Sequence, residues 1–494
     1  MTVKLSLENI SDTTFTVSVP NYDRATLSAG IVHFGVGNFH RAHQAIYLDE
    51  LFNSGTDHDW AVIGAGILPS DATMREKLAA QDYLTTVVEQ DINRNEARIT
   101  GPMIGMLPVG DTKVIIEGLA DPKIRIVSMT ITEGGYFIDA SGKFNPEHPA
   151  ILADGKNPTE PKTIFGLIVA ALKIRKENGI APFTVMSCDN IPHNGVVTAN
   201  AVIGTAELSD SSLAKWIRQE VSFPNAMVDR ITPATSAREI SHCVETFGID
   251  DCWPVYCEEF KQWVIEDKFS AGRPALEKVG VQFVSDVTPY EHMKIRILNG
   301  GHAALAYPAA LLDIHFVHEA MDDLDIRAFL RKLEEDEIIP IVPPVPNTDL
   351  NQYYEIIERR FSNPKVADTI PRLTHDGSNR HPKFILPSTA DNLKIGKDVV
   401  GLALVSALWC RFLLGQTDSG HPILATDPNL EEIQIAARQA VVNPDAFLSL
   451  EGVFGTLGKN DRFRARFAQA LSSLQTAGVR STLRSYVSGR LDRE

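Results

Sequence analysis

Hydrophobic positions in the first third of the chain fall into short β-branched runs separated by amphipathic stretches. Residues 31–34 read as a strand, and from Ala42 to Phe52 the apolar residues Ala42, Ala45, Ile46, Leu48, Leu51 and Phe52 recur at helical spacing. Runs at 60–67, 83–88 and 124–132 predict further strands, the last of them buried. Residues 163–178 (TIFGLIVAALKIRKEN) predict a helix that Gly179 stops, and 183–187 returns as a strand. Strand, helix and strand at this spacing predict a parallel sheet covered on both faces.

After about residue 285 the texture changes to helical patterns, at 289–312, 318–335, 350–361, 399–414, 431–442 and 461–477. Pro-rich loops such as 338–346 (IIPIVPPVP) break them. The prediction is an α/β N-terminal domain over residues 1–284 and a mainly α-helical C-terminal domain over 285–494.

Composition narrows the function classes. The 494 residues are 44% hydrophobic and 22% charged, ordinary for a globular enzyme. A formal charge of −16 argues against nucleic acid or an anionic membrane as partner, because phosphate binding needs a basic face. The five cysteines, Cys188, Cys243, Cys252, Cys257 and Cys410, include no pair two residues apart, so neither a zinc knuckle nor a redox motif is expected. The first twenty residues hold no apolar core of a signal peptide, and the apolar run 399–410 is too short to span a bilayer. A cytoplasmic protein is the expectation, monomeric or weakly oligomeric.

The segment IVHFGVGNFHRAH places Gly35-Val36-Gly37 between a strand and a helix. Glycines there let the backbone turn tightly and approach a pyrophosphate seated on the helix N-terminus, as in a Rossmann-type dinucleotide site. Asn38, Phe39 and His40 complete the segment, although His40 stands where the fingerprint has its third glycine. An acid after the second strand should receive the adenosine ribose, and Asp71 is the candidate. No Arg or Lys lies between Ile67 and Asp71 to neutralise a 2′-phosphate, which favours NAD over NADP. His40 and His43 are three apart on a helix, but without a third ligand they read as packing or cofactor contacts, and no metal is expected.

Polar residues concentrate in Glu291-His-Met-Lys294-Ile-Arg-Ile-Leu-Asn299-Gly-Gly-His302. On one α-helix, at about 100° per residue, Lys294 and His302 lie about 80° apart and Asn299 about 60° beyond, so all three could face one cleft. Gly300 and Gly301 suit a close neighbour. Glu133 and Asn190 follow strands, where an α/β sheet places its chemistry. Asp229 sits in FPNAMVDRITP, where a salt bridge to Arg230 is an equal alternative.

The motifs GxGxFHRAH, TITEGGY, FTVMSCDN, FPNAMVDRITP, WPVYCExFxQWVIED and K-x4-N-x2-H together resemble the polyol-specific long-chain dehydrogenases, over about residues 28–480. The resemblance implies a metal-independent oxidation of an open-chain polyol with NAD, D-mannitol to D-fructose first, with D-arabinitol and sorbitol as further substrates. By the same resemblance Lys294 is the general base, Asn190 and Asn299 hold the substrate oxygen, and His302 orients it. Glu291 and Asp229 would form a proton path, Glu133 would contact the cofactor, and Arg372 would bind further hydroxyls. Arg380 departs from the pattern, which has lysine two residues before Pro382, and this bears on specificity. A lysine base must be lowered from about 10.4 toward 7–8 to work near neutrality. Family members that reduce fructuronate or tagaturonate give one alternative; a dinucleotide sensor without catalysis is another. Tyr290 and Lys294 also match the Tyr-x3-Lys pair of short-chain dehydrogenases, but the pair lies in the second domain and Asn299 and His302 follow it, so Tyr290 is assigned to packing.

Overall fold

The computed structural model describes residues 2–10, 17–139 and 142–491; the N-terminal stretch considered as a signal peptide lies partly outside them. The chain forms two compact units, Met1–Thr288 and Pro289–Glu494.

The first unit is built on five strands, β1 (Ala29–Phe34), β2 (Ala61–Ala65), β3 (Met103–Met106), β4 (Ile126–Met129) and β5 (Thr184–Ser187). All pair in parallel in the order β3-β2-β1-β4-β5. Alternation along β1 explains why both faces are covered. Val32 and Phe34 pack with Leu119, Phe165 and Leu172, while Ile31 packs with Leu48, Phe52 and Trp263. The strand order reverses direction between β1 and β4, the point where an open α/β sheet binds its ligand at the strands' C-terminal ends. A smaller sheet of β6 (Ala226–Asp229), β7 (Gln262–Glu266) and β8 (Gln282–Val284) covers the Ile31 side. The parallel-sheet expectation holds.

Several boundaries differ from expectation, each for a local reason. The strand expected at 124–132 stops at Met129, and Thr132 takes φ 62°. The helix expected from Ala42 divides into α1 (Asn38–Ala42) and α2 (Gln44–Asn53) at His43, whose φ and ψ are −126° and −82°. The His43 imidazole Nε2 bonds the Gln262 carbonyl at 2.9 Å, which holds the break in place. The helix Ile164–Glu177 begins as predicted, Thr163 Oγ1 accepting the Gly166 amide at 3.1 Å.

The second unit is mainly helical. Its helix Leu350–Phe361 matches the predicted span, whereas the span 289–312 is not a single α-helix. Helix Thr288–Met293 passes into a π-helical turn, Lys294–Asn299, and then into helix Gly300–Leu311. Among the described residues no helix is long and apolar enough to cross a membrane.

Candidate active site

In the first unit the glycine loop lies at the switch point. Gly35 has φ +86°, and a Cβ added to it would lie 2.0 Å from the Thr130 carbonyl oxygen, so only glycine fits against the end of β4. A Cβ on Gly37 would meet nothing closer than the Gly35 oxygen at 3.9 Å, which leaves the outer face of the loop open to a close-approaching phosphate.

The side chains beside the glycines are taken up by packing and hydrogen bonds within the fold, as the packing reading of His40 and His43 has it. Val36 is buried with Leu78, Met103 and Met106. His40 is 1% exposed and stacks on His33 with centroids 3.6 Å apart, and burial lowers its pKa to about 3. Asn38 donates to the Pro233 carbonyl at 3.0 Å and to Thr235 Oγ1 at 2.9 Å, while Phe39 stacks on His43. The loop's shape therefore rests on its side chains, and what it offers outward is backbone. Asp71 Oδ2 accepts the Ile67 and Leu68 amides at 2.9 and 2.8 Å, so this carboxylate shapes the turn from β2 into helix Pro69–Ala79.

Glu133 and Asn190 are exposed at the ends of β4 and β5. Between them lies Asp189, part of the FTVMSCDN motif but not singled out there, whose carboxylate bonds the Ile131 and Thr132 amides and the Tyr136 hydroxyl. Asp229 ends β6 and is buried. The Asp229–Arg230 alternative is resolved on the arginine's side, because Arg230 pairs with Glu89 at 2.5 Å and donates to the Ala42 and Glu258 carbonyls.

In the second unit Glu291, Lys294 and His302 are buried and Asn299 is half-buried along one continuous helical rod. The π turn corrects the angular reasoning from sequence. The Gly300 amide reaches back to the Ile295 carbonyl, five residues away, so each residue of the turn rotates through less than the α-helical 100°. The two glycines do have close neighbours. A Cβ on Gly300 would lie 3.2 Å from the Phe384 carbonyl oxygen, and one on Gly301 would lie 3.0 Å from Glu334 Oε1 and 3.4 Å from the Phe361 ring.

His302 stacks on Phe361 and has its Nε2 4.0 Å from Asp368. Burial lowers its pKa to about 3, opposed by Asp368 and assisted by Arg372, Arg380 and Arg360, so the ring is neutral at physiological pH. Arg372 holds Asp368 through Nε at 2.6 Å and Nη2 at 2.5 Å, and Arg380 donates to the Leu373 carbonyl at 2.9 Å. Asp368 thus links two residues that the sequence singled out, although nothing in its surroundings, KVADTIP, marks it. Tyr290 is buried, its hydroxyl donating to the Pro346 carbonyl at 3.3 Å. Among the described residues no group of three or more His, Cys, Asp or Glu could hold a metal ion.

Two family models account for most of the chain, the mannitol dehydrogenase Rossmann domain over residues 29–278 and the mannitol dehydrogenase C-terminal domain over 286–475. The chain belongs to the mannitol dehydrogenase family. A relative from Cereibacter sphaeroides, mannitol 2-dehydrogenase, is 56% identical over 475 residues, 96% of this chain and 99% of the relative. The mannitol 2-dehydrogenase of Pyricularia oryzae is 40% identical over 99% of both chains. The solved structure of Pseudomonas fluorescens mannitol 2-dehydrogenase, a ternary complex with NAD and D-mannitol, is 44% identical, covers 98% of this chain and 100% of its own, and superposes with a TM-score of 0.84. A substrate-free D-sorbitol dehydrogenase is 35% identical, covers 97% and 100%, and has a TM-score of 0.92.

Proposed function

We propose that this protein is an NAD-dependent polyol dehydrogenase that oxidises D-mannitol at C2 to D-fructose and catalyses the reverse reduction. The observation that carries the reading is the 56% identity to a mannitol 2-dehydrogenase over 96% of the chain. The glycine loop, with Gly35 wedged against Thr130 and Gly37 open, supports a dinucleotide at the end of β1. Gly35, Gly37 and the backbone of Val36 to Phe39 would hold its pyrophosphate, with Asp71 toward the ribose and Glu133 beside the nicotinamide. Bound there, NAD would supply the hydride acceptor.

An alcohol gives up hydride readily only as its proton leaves, and Lys294 is the base we assign to that proton. Asn190 and Asn299 would donate amide hydrogens to the substrate oxygen, stabilising alkoxide character without a net charge. His302, neutral and fixed against Phe361, would orient that oxygen. Glu291 and Asp229 would carry the proton onward, and Arg372 and Arg380 would bind the hydroxyls farther along the chain. This chemistry needs no metal ion. Five unpaired cysteines support a reducing, cytoplasmic setting.

D-Sorbitol is a second substrate to consider, because of the 35% identity to a D-sorbitol dehydrogenase; oxidation at C2 gives the same ketose. The test is NADH oxidation by the purified protein with D-fructose and then with fructuronate, chelator present throughout. Turnover of fructose is expected. Turnover of fructuronate alone would move the protein to sugar acids, and chelator-sensitive activity that zinc restores would overturn the metal-free mechanism.

A further inference from the structure

Thr132 has φ 62° and ψ 166°, a region that is essentially glycine's, and a β-branched residue there is a genuine outlier. It persists because something over-determines it. Asp189 Oδ1 accepts the Thr132 amide at 2.9 Å, and Oδ2 accepts the Ile131 amide at 2.8 Å and the Tyr136 hydroxyl at 2.6 Å. One carboxylate therefore grips both sides of the unusual residue and the end of the short turn Glu133–Tyr136 that follows it.

Asp189 is itself anchored. It is buried at the end of β5, and its carbonyl accepts from Asn194 Nδ2 at 3.0 Å. The same Asn194 amide, fully buried, exchanges hydrogen bonds with the backbone of Ala226 at the start of β6. The next residue after Asp189 is Asn190.

We propose that Asp189 is a positioning residue, whose carboxylate holds Thr132 in its glycine-like conformation and so fixes the Glu133 turn relative to Asn190. The inference rests on the reading that these two loops meet cofactor and substrate. A carboxylate is the only side chain of this size with acceptors on both terminal atoms. Asparagine in its place would turn an NH2 group toward a backbone N–H or toward the tyrosine oxygen, releasing one side of the grip.

A double-mutant cycle tests the proposal, since glycine adopts the Thr132 conformation without assistance. Asp189→Asn should lower kcat/KM for D-fructose reduction at least about tenfold in the parent, but no more than about threefold in a Thr132→Gly background. The KM for NADH and kcat are measured separately, with the thermal midpoint of each variant. Equal losses in the two backgrounds overturn the proposal, as does a lower thermal midpoint with unchanged kinetic constants. If Asp189→Asn does not fold alone, the double variant should fold, and its failure to do so counts against the proposal. Asp189→Glu, which keeps both acceptors, should retain more activity than Asp189→Asn. A parent protein inactive on every polyol and ketose defeats the functional reading instead, while coupling between the thermal midpoints still tests the grip.

Discussion

The imidazole of His302 lies flat on the ring of Phe361, their centroids 4.0 Å apart and their planes 21° from parallel. This stack removes the imidazole from water and makes its charged form costly, which is why Asp368 at 4.0 Å does not keep it protonated. The pH dependence of kcat/KM should therefore contain no ionisation from His302. His302→Gln, which cannot titrate, should lower kcat/KM yet leave the apparent pKa values within about half a unit of the parent's. Loss of an inflection near pH 6–7 in this variant would show that His302 carries charge in turnover.

Lys294 and Tyr290 are separable by mutation. With its hydroxyl on the Pro346 carbonyl, Tyr290 has a structural partner. Tyr290→Phe should keep kcat within about tenfold, whereas Lys294→Ala should lose the ~10²–10⁴ of a general base. Added primary amines should restore part of the Lys294→Ala loss. A larger defect in Tyr290→Phe would assign the proton to the tyrosine.

Coenzyme choice can be tested with less disturbance of the turn at Asp71 than alanine would cause. Its carboxylate accepts the Ile67 and Leu68 amides, so alanine would remove a cap as well as a charge. Asp71→Ser removes the charge and keeps a capping acceptor, though on a shorter side chain. The parent should favour NAD over NADP in kcat/KM, and Asp71→Ser should narrow the ratio. An unchanged ratio would free Asp71 of any role in selection.

Glu337 predicts a pH dependence of stability. Its carboxylate accepts the Gly401 and Leu402 amides at 2.6 and 3.0 Å and the Tyr486 hydroxyl at 3.0 Å, capping helix Val400–Phe412 from inside the unit. Burial outweighs these bonds and raises its pKa to about 7. The folded state thus holds this proton when the unfolded state has released it. Stability is highest below the unfolded value and declines as pH rises through about 7, by on the order of 3 kcal/mol. Glu337→Gln should flatten that decline in unfolding titrations between pH 5 and 8. An unchanged slope would place its origin elsewhere.

The parallel sheet and its helices were legible because β-branched runs and apolar spacing reflect burial on both faces. What the sequence did not reveal was set by distant partners. The break at His43 is held by Gln262, 219 positions away, and the turn at Thr132 by Asp189, 57 positions away. Lys294, Asn299 and His302 were legible as polar residues on an apolar helix. Asp368 was not, since its meaning comes from the histidine and arginine it faces. His40 belonged to a recognisable motif, yet the structure gives its ring to His33, because a motif preserves packing as readily as ligand contact.

The widened turn between Lys294 and Asn299 makes chain length a determinant in its own right. Because each of its residues turns through less than 100°, the segment holds about one residue more than an α-helix of the same rotation, and removing one from 295–298 would let it tighten into ordinary α-helix. His302 would then keep its place relative to Lys294, since seven steps of about 100° along an α-helix make about two full turns. What the extra residue adds is the buried side chains of the turn itself, Arg296, Ile297 and Leu298, so a deletion would be felt there while Lys294, Asn299 and His302 stayed on their faces.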